Sequence, residues 1–276
     1  MIKDKFSALW VSHSSISDYL KCPRSYFLKN MYRDPKNNHK IMVMQPPLAL
    51  GQVVHGVIES VSNMPAENRL IEPLLEIFER AWIEVKGEKG GFKDQIDEKA
   101  FKQRGIEMIE RLSKNPGPLL RKAIKIRERL PHYWLSEENN IIVCGRVDWL
   151  EFLEKEQAVH IIDFKTGKFD EDPQSLQLRI YCLLTKYSQK WPIAKVSYWY
   201  LDRDNEPVSL PLPDEQESTD LVLEIAKKIQ LARKLERFTC SRTSGCPLCL
   251  PYEAVLNGKA KLVGRGEWNK DIYALV

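Results

Sequence analysis

The sequence predicts a mixed α/β fold in which helices flank a small central sheet. Two neighbouring stretches, residues 141–153 and 158–166, are rich in strand-forming residues. Apolar residues recur at helical spacing on both sides of these stretches. The resulting order of helices, strands, helix and strand, with helices at both ends, is typical of this class.

The composition excludes several other classes of protein. The chain has 276 residues, of which 43% are hydrophobic and 29% are charged, as in ordinary globular proteins, so disordered, collagen-like and coiled-coil classes are disfavoured. It lacks the run of about 18 apolar residues that a membrane helix needs, and its start lacks a secretory signal. We therefore expect a cytoplasmic protein without a membrane span. The net charge of +4 permits a nucleic-acid partner but does not require one.

Two helices are predicted in the N-terminal region. Ser15 and Asp18 match a capping box, Ser-x-x-Asp, ahead of an apolar stretch that reaches residue 28. A second helix is expected to begin near Leu48. Pro46 and Pro47 precede it, and proline suits the first turn of a helix.

Residues 66–130 are predicted to be mostly helical and to form an insertion in the core. Glycine and proline clusters at 87–91 and 116–118 separate the helices. Between residues 101 and 130 there are nine Lys or Arg and three Glu, a net charge of +6 that exceeds the +4 of the whole chain. Two interpretations of this positive charge stay open. The commoner one is a solvated helix face, and the more specific one is a basic surface that follows a nucleic-acid strand.

The second half of the chain alternates between strands and helices. Residues 154–157 are polar and short enough to be the loop of a hairpin between the two strand-forming stretches. The later elements are a helix at 175–187, a strand at 195–201, a segment at 208–212 that pairs back onto it, and a basic helix at 221–237. We expect residues 238–276 to form an irregular tail that packs with the N-terminal helix.

The predicted hairpin brings two carboxylates and one ammonium together. If its loop is centred between residues 155 and 156, facing residues have numbers that sum to 311, so Asp148 lies opposite Asp163. Lys165 shares their face because strand side chains alternate with a period of two. Facing Cβ atoms lie about 4.5–5.5 Å apart. Two unpaired carboxylates at that distance repel each other, and a hard divalent cation, Mg²⁺ or Mn²⁺, removes the repulsion.

This combination of groups suits the hydrolysis of a phosphodiester. A metal there binds a phosphate oxygen and lowers the pKa of an attacking water, while Lys165 orients the water and offsets developing negative charge. The alternative is an exposed hairpin with an Asp–Lys ion pair, which contributes little to stability. The apolar neighbours Val159, Ile161 and Ile162 argue against it, because they predict a buried Asp163 that needs a partner.

The six cysteines divide into two groups. Cys144 and Cys182 are expected to be buried as small hydrophobic residues. The other four form a candidate ligand set that consists of Cys22, Cys240, Cys246 and Cys249. Four thiolates bind Zn²⁺ or an iron–sulfur cluster, and spacing alone does not decide between the two.

Several motifs together resemble one nuclease family. The stretches 145–148 (Gly-Arg-Val-Asp) and 161–168 (Ile-Ile-Asp-Phe-Lys-Thr-Gly-Lys) resemble the motif of PD-(D/E)XK nucleases. More narrowly, the chain is similar to the RecB-family exonuclease domain and to related CRISPR-associated exonucleases. The motifs that carry this narrower likeness are Gly51-x-x-x-His55, Gln177-x-x-x-Tyr181, and Ser12-x-Ser14-x-Ile16 with Cys22-Pro23-Arg24-x-Tyr26. The resemblance covers most of the chain except residues 66–130.

The resemblance implies a fold and a set of site residues. The fold is a restriction-endonuclease-like core, with residues 1–276 as a single domain. The metal ligands that it implies are His55, Asp148, Asp163 and the peptide carbonyl of Phe164. Lys165 serves the attacking water, and Gln177 and Tyr181 position the substrate or the lysine. The four cysteines are implied to hold a [4Fe-4S] cluster that staples the chain ends together, with Zn²⁺ as the runner-up.

The resemblance also implies an activity. It is that of a Mg²⁺- or Mn²⁺-dependent DNA exonuclease acting on single-stranded DNA or DNA ends, in DNA repair, recombination or CRISPR adaptation. The alternative is a non-catalytic iron–sulfur DNA-binding subunit of a helicase or CRISPR integrase complex, which the complete Asp–Asp–Lys set disfavours. The chain lacks a Gly-x-x-x-x-Gly-Lys-Ser/Thr loop, so any ATP hydrolysis is expected to belong to a partner.

Overall fold

The computed structural model describes residues 4–126 and 128–275. The strands in these residues are β1 (Leu9–Val11), β2 (Lys40–Val43), β3 (His132–Ser136), β4 (Ile141–Cys144), β5 (Trp149–Leu153), β6 (Ala158–Lys165), β7 (Ile193–Tyr200), β8 (Val208–Leu210), β9 (Ala260–Gly266) and β10 (Lys270–Leu275). The α-helices are α1 (His13–Lys21), α2 (Pro23–Tyr26), α3 (Pro46–Ser62), α4 (Leu74–Trp82), α5 (Gln95–Lys114), α6 (Gln177–Ser188), α7 (Glu215–Lys234) and α8 (Leu250–Leu256). None of the helices in the described residues could span a membrane.

The central sheet has four strands in the order β5-β6-β7-β8. Strands β5 and β6 form the predicted hairpin, and the pairing of Trp149 with Ile162 has the expected sum of 311. Strand β7 lies parallel to β6 and is reached through α6, and β8 pairs antiparallel with β7. The predicted mixed α/β fold with a small mixed sheet is therefore confirmed.

Helices cover both faces of the central sheet. Because strand residues alternate between faces, Leu150, Ile161 and Val196 form one core with α6 and α7. Strand residues that face the other side form a second core with α3, α4 and α5, and they include Trp149, Ile162, Phe164 and Trp199. The strand β6 between these two cores is buried along nearly its whole length. Any polar side chain on it must therefore find a partner inside the protein.

Two smaller sheets join distant parts of the chain, and the sequence did not predict them. One has the order β1-β4-β3 and the other the order β2-β10-β9. In the first, β1 lies parallel to β4, and in the second β2 lies parallel to β10. The second sheet pairs residues 40–43 with residues 270–273, so the N-terminal part of the chain packs beside its last strand.

The expected single strand at 141–153 is wrong, because it is two strands in different sheets. Strand β4 ends at Cys144 and β5 begins at Trp149. Between them, the Gly145 N–H donates to the carbonyl of Pro131 at 3.1 Å. A Cβ atom on Gly145 would lie 3.0 Å from the Leu184 side chain, so the chain passes close to α6 at this point. This break leaves Asp148 just outside the start of β5.

Three further boundaries differ from the sequence expectation. The capping box of α1 is formed by Ser12 and Ser15 rather than by Ser15 and Asp18, since β1 ends at Val11 and the helix starts directly after Ser12. Helix α7 begins earlier than residue 221 because Asp214 accepts a hydrogen bond from the Glu217 N–H and caps it. The tail is not irregular, since it contains α8, β9 and β10.

The segment 66–130 is helical only as far as residue 120. It contains α4, α5 and short 3₁₀ turns, the last of which is Gly117–Leu120. Residues 122–124 run extended along the hairpin, with Ala123 bridged to Glu151 of β5. This extended part carries a share of the basic residues that the sequence assigned to helices. Helix α3, in contrast, begins as expected at Pro46 and Pro47.

Candidate active site

The hairpin ladder leads directly to the two predicted acids. Its last pair is Trp149 with Ile162, and Asp148 directly precedes β5 while Asp163 follows Ile162 in β6. The Asp148 Oδ2 atom accepts a hydrogen bond of 3.1 Å from the Phe164 N–H, which holds this carboxylate against β6. Asp163 is only 2% exposed and faces α6. The structure therefore brings both acids to one end of the hairpin.

Helix α3 brings His55 to the same place. A Cβ atom on Gly51 would lie 3.3 Å from the Thr166 hydroxyl, so the glycine permits α3 to approach the end of β6 closely. One turn later, His55 Nδ1 lies 3.3 Å from Asp148 Oδ2. Burial lowers the pKa of His55, although the charge of Asp163 and the Phe164 backbone oppose this shift. The imidazole is thus held in its neutral form, which has a lone pair for a metal ion.

The ammonium group of Lys165 has several anionic or polar partners. Its Nζ atom lies 2.9 Å from Asp163 Oδ2 and 2.8 Å from Glu171 Oε2, and it donates to Gln177 Oε1. It also lies 4.7 Å from the centre of the Tyr198 ring. Burial lowers the pKa of Lys165, but Asp163 and Glu171 outweigh it and the net shift is upward. The lysine is therefore charged and fixed in position.

Helix α6 supplies the two remaining predicted side chains. Gln177 Nε2 donates to Asp163 Oδ1 at 2.8 Å and to the Tyr181 hydroxyl at 3.2 Å. Its carbonyl accepts from Lys165, so this one amide contacts the acid, the lysine and the tyrosine. Gln177 and Tyr181 are one turn apart on the face of α6 that packs on the sheet. Together they orient Asp163 and Lys165.

Glu171 is a site residue that the sequence reasoning missed. It lies in the loop after β6, where its carboxylate pairs with Lys165 and its N–H donates to the Tyr200 hydroxyl at 3.1 Å. No periodicity applies to a loop residue, so strand and helix patterns give no sign of this contact. The only sequence signal is an acidic residue six positions after the lysine.

The charges of the two acids favour a cation bound between them. Burial raises the pKa of Asp148 to about 6. Burial and the charge of Asp148 raise the pKa of Asp163 to about 7. The Oδ2 atom of Asp163 is buried and accepts no hydrogen bond, although it is within ion-pair distance of Lys165. A hard divalent ion between oxygen ligands offsets both effects.

A groove with a volume of about 380 Å³ opens beside these groups, and we call it the site groove. One wall is formed by α3, with His55, Ile58, Glu59, Ser62 and Asn63, and the other by residues of the segments 123–126 and 128–131. Asp148 and Phe164 lie at its inner side. The basic side chains that line it are Lys125, Arg129 and Arg146. The groove therefore offers cations to a polyanion, beside the carboxylates of Glu59, Glu128 and Asp148.

The four predicted cysteines form a second cluster, away from the acids. Their Sγ atoms all lie within 4.8 Å of one another. Cys22 caps α2 and accepts a hydrogen bond from the Ser25 N–H, and Cys249 precedes α8. Cys246 Sγ lies 3.7 Å from Cys249 Sγ. Four converging thiols suit a zinc ion or an iron–sulfur cluster.

Contacts beside the cysteine cluster join the chain ends. Arg24 Nε lies 2.5 Å from Glu253 Oε1, and the Ser25 hydroxyl donates to the carbonyl of Leu248. Cys144 and Cys182 take no part in the cluster. Both are partly rather than fully buried, and burial raises the pKa of each thiol.

Comparison with known proteins identifies the family. No match was found among curated proteins. The sequence model of the PD-(D/E)XK nuclease superfamily matches residues 10–255, a span that contains the acids, the lysine, α6 and all four clustered cysteines. These nucleases depend on divalent metal ions, which agrees with the paired acids of the hairpin. The chain therefore belongs to the PD-(D/E)XK nuclease superfamily.

Proposed function

We propose that the protein is a Mg²⁺- or Mn²⁺-dependent DNA exonuclease that acts on single strands or DNA ends. The observation that carries this proposal is the convergence of buried Asp163, partly buried Asp148 and the fixed Lys165, with raised pKa values for both acids, beside a groove that Asp148 lines. His55, Asp148, Asp163 and the carbonyl of Phe164 would hold the metal ion. Their oxygen and imidazole donors suit these ions.

The residues around the acids then have separate tasks. A divalent ion, when bound, lowers the pKa of water and neutralises charge on the phosphate. Lys165 orients the attacking water and offsets negative charge that develops in the transition state. Gln177 keeps Asp163 and Lys165 at fixed positions through its two hydrogen bonds. Tyr181 supports Gln177 from the next turn of α6.

The cations of the site groove would bind the DNA backbone. Lys125, Arg129 and Arg146 line the groove that ends at Asp148. The Arg146 side chain donates to the carbonyl of Arg129 at 3.2 Å, so both arginines belong to the same part of the wall. Phosphate contacts of this kind position a strand without reading its sequence.

We further propose that the four cysteines hold a [4Fe-4S] cluster with a structural role. The cluster would join segments more than 200 residues apart, and such a long-range link restricts the unfolded chain. The similarity to RecB-family and CRISPR-associated exonucleases supports iron. Zinc is the alternative. The Sγ–Sγ distances favour it, since they are 3.7 Å for Cys246 and Cys249 and at most 4.8 Å for any pair. Zn–S bonds of about 2.3 Å place tetrahedral sulfurs about 3.8 Å apart.

The visible spectrum of anaerobically purified protein tests this cofactor. A brown protein with iron and sulfide, whose colour is lost in Cys22→Ala, supports the cluster. A colourless wild-type protein with one tightly bound zinc ion contradicts it. Cys182→Ala is the matched control, because Cys182 lies outside the cluster and its replacement should leave the colour unchanged.

The nuclease proposal is tested by digestion of end-labelled DNA with Mg²⁺ or Mn²⁺. Lys165→Ala should reduce cleavage by about 10²–10³-fold, the usual effect of removing one group that stabilises transition-state charge. Lys168→Ala is the control, since Lys168 is exposed three residues further along the same segment. Undiminished cleavage by Lys165→Ala would refute the role of the lysine.

The position of the label also separates exonuclease from endonuclease activity. Short products released first from a labelled end support the exonuclease proposal, whereas internal cuts in circular DNA contradict it. The working context that we propose is DNA repair, recombination or CRISPR adaptation, with a helicase or an integrase as partner. A non-catalytic binding subunit is disfavoured, because the acids, the lysine and the glutamine are all present and in contact.

A further inference from the structure

The turn between β9 and β10 presents one large aromatic side chain to solvent. Trp268 lies in this turn and is 63% exposed. Its φ angle of 62° is left-handed, as is the φ of 52° at the next residue, Asn269. Asparagine adopts this conformation readily, but for a bulky residue such as tryptophan it is strained. Backbone strain of this kind concentrates at functional sites.

Trp268 is connected to the site groove through one basic residue. The guanidinium carbon of Arg129 lies 4.6 Å from the centre of the Trp268 ring. Arg129 Nη2 also lies 3.4 Å from Glu267 Oε2, the residue before the tryptophan. Arg129 lines the groove that contains Asp148 and His55, so the indole packs against a residue of the groove wall, and we call this position the rim.

We propose that Trp268 is a stacking platform for an unpaired base of a DNA strand that occupies the site groove. This inference rests on the proposed function and specifies its substrate as single-stranded DNA. The groove supplies cations for the phosphates, and the rim supplies an aromatic face for a base. A backbone-tracking basic groove combined with exposed aromatic rings is the common design of single-strand binding sites.

The chemistry of stacking distinguishes single strands from duplexes. In a duplex, each base is already stacked on its neighbours and paired, so its faces are not free for the indole. In a single strand or a frayed end, a base can leave the stack and lie against Trp268. The guanidinium of Arg129, which lies near the ring, can contact the phosphate beside that base.

The experiment measures DNA binding in EDTA, so that no variant cleaves the probe. Fluorescence anisotropy gives the Kd of fluorescein-labelled oligothymidylate, of a blunt duplex and of an abasic strand of the same length. Trp268→Asn should bind the thymidylate roughly tenfold more weakly, within the range known for the loss of one stacked base. Its duplex and abasic-strand Kd values should stay within about twofold of wild type.

Two further variants separate stacking from folding. Trp268→Phe retains an aromatic face and should keep most of the affinity for oligothymidylate. Leu262→Ala removes an exposed apolar side chain from β9 of the same hairpin and should leave all three Kd values unchanged. Because asparagine suits the left-handed backbone, the melting temperature of Trp268→Asn should equal or exceed that of wild type.

The outcomes that overturn the inference differ from those that overturn the nuclease proposal. If wild-type protein binds none of the three probes, the proposed function fails and the inference fails with it. If wild type binds DNA but Trp268→Asn binds oligothymidylate equally well, only the stacking platform is refuted. An equal loss on all three probes, or a fall in melting temperature, refutes it as well, because it indicates a structural role for Trp268.

Discussion

Two buried carboxylates lie on the same hairpin, and their pKa values are shifted in opposite directions. Glu151 in β5 is 1% exposed, and Asp163 in β6 is 2% exposed. Hydrogen bonds from His160 and Arg121 overcome burial and hold the pKa of Glu151 below its usual 4.5. The pKa of Asp163 is instead raised to about 7 by burial and by Asp148.

The partners of each acid explain the difference. His160 Nδ1 lies 2.8 Å from Glu151 Oε2, and His160 Nε2 lies 2.7 Å from the Ser197 hydroxyl. This network crosses β5, β6 and β7, and all three of its members are buried. Asp163 shares its surroundings with a second acid and has one oxygen without a hydrogen bond. A fully hydrogen-bonded buried acid stabilises the sheet, whereas two neighbouring acids, one of which keeps an oxygen without a hydrogen bond, are suited to hold a cation.

The largest predicted effect is the loss of cleavage in Asp163→Asn. The amide removes one anionic ligand, so cleavage of end-labelled DNA should fall by roughly 10³-fold. In EDTA the same variant should lose less thermal stability than Glu151→Gln, because relief of the repulsion between the two acids offsets the lost ion pair with Lys165. A large loss of thermal stability would mean that Asp163 is a structural acid like Glu151.

The complementary prediction concerns Glu151→Gln. This change should lower the free energy of unfolding by about 1.5–3 kcal/mol, the range for hydrogen bonds to charged groups. Cleavage per folded molecule should stay unchanged. Urea denaturation and the digestion assay measure the two quantities, with Glu154→Gln in the exposed hairpin loop as the matched control.

The pH dependence of this destabilisation has a defined sign. The folded pKa of Glu151 lies below 4.5, so its contribution is present above pH 4.5 and is lost as the pH falls through the folded pKa. The difference in stability between wild type and Glu151→Gln should therefore shrink on acidification. A difference that grows towards low pH would contradict the ion-pair explanation.

A smaller effect is expected from Glu171→Gln, which tests how Lys165 is positioned. Glutamine retains a hydrogen-bond acceptor but removes one of the two anions beside the ammonium. Cleavage should fall by about tenfold, as for the loss of a charge-assisted contact. Asp170→Asn, an exposed neighbour in the same loop, is the control. An unchanged rate in Glu171→Gln would show that Asp163 and Gln177 suffice to fix Lys165.

The register of the hairpin was predictable from the sequence because it depends on local features. A short polar loop between two strand-forming stretches fixes which residues face each other, and the observed pairs follow the predicted sum. The same reasoning placed Asp148, Asp163 and Lys165 together. Gln177 and Tyr181 followed from helical spacing combined with the family resemblance.

Features that depend on distant parts of the chain were not predictable in this way. Strands β1 and β2 are only three and four residues long, and each pairs with a strand far along the chain. Strand preference in such short segments depends on the neighbours against which they pack. The sequence also assigned part of the groove wall to a helix, and this was wrong for a similar reason, since residues 122–124 run extended along β5 instead of continuing the helices.

The most direct test of the central claim is calorimetric titration of Mn²⁺ into wild type, Asp163→Asn and Glu151→Gln. The claim is that the Asp148–Asp163 end of the hairpin holds a metal ion and that the Glu151 end does not. We predict that wild type and Glu151→Gln bind Mn²⁺ with similar affinity and that Asp163→Asn loses this binding. Equal Mn²⁺ binding by Asp163→Asn and wild type would contradict the claim.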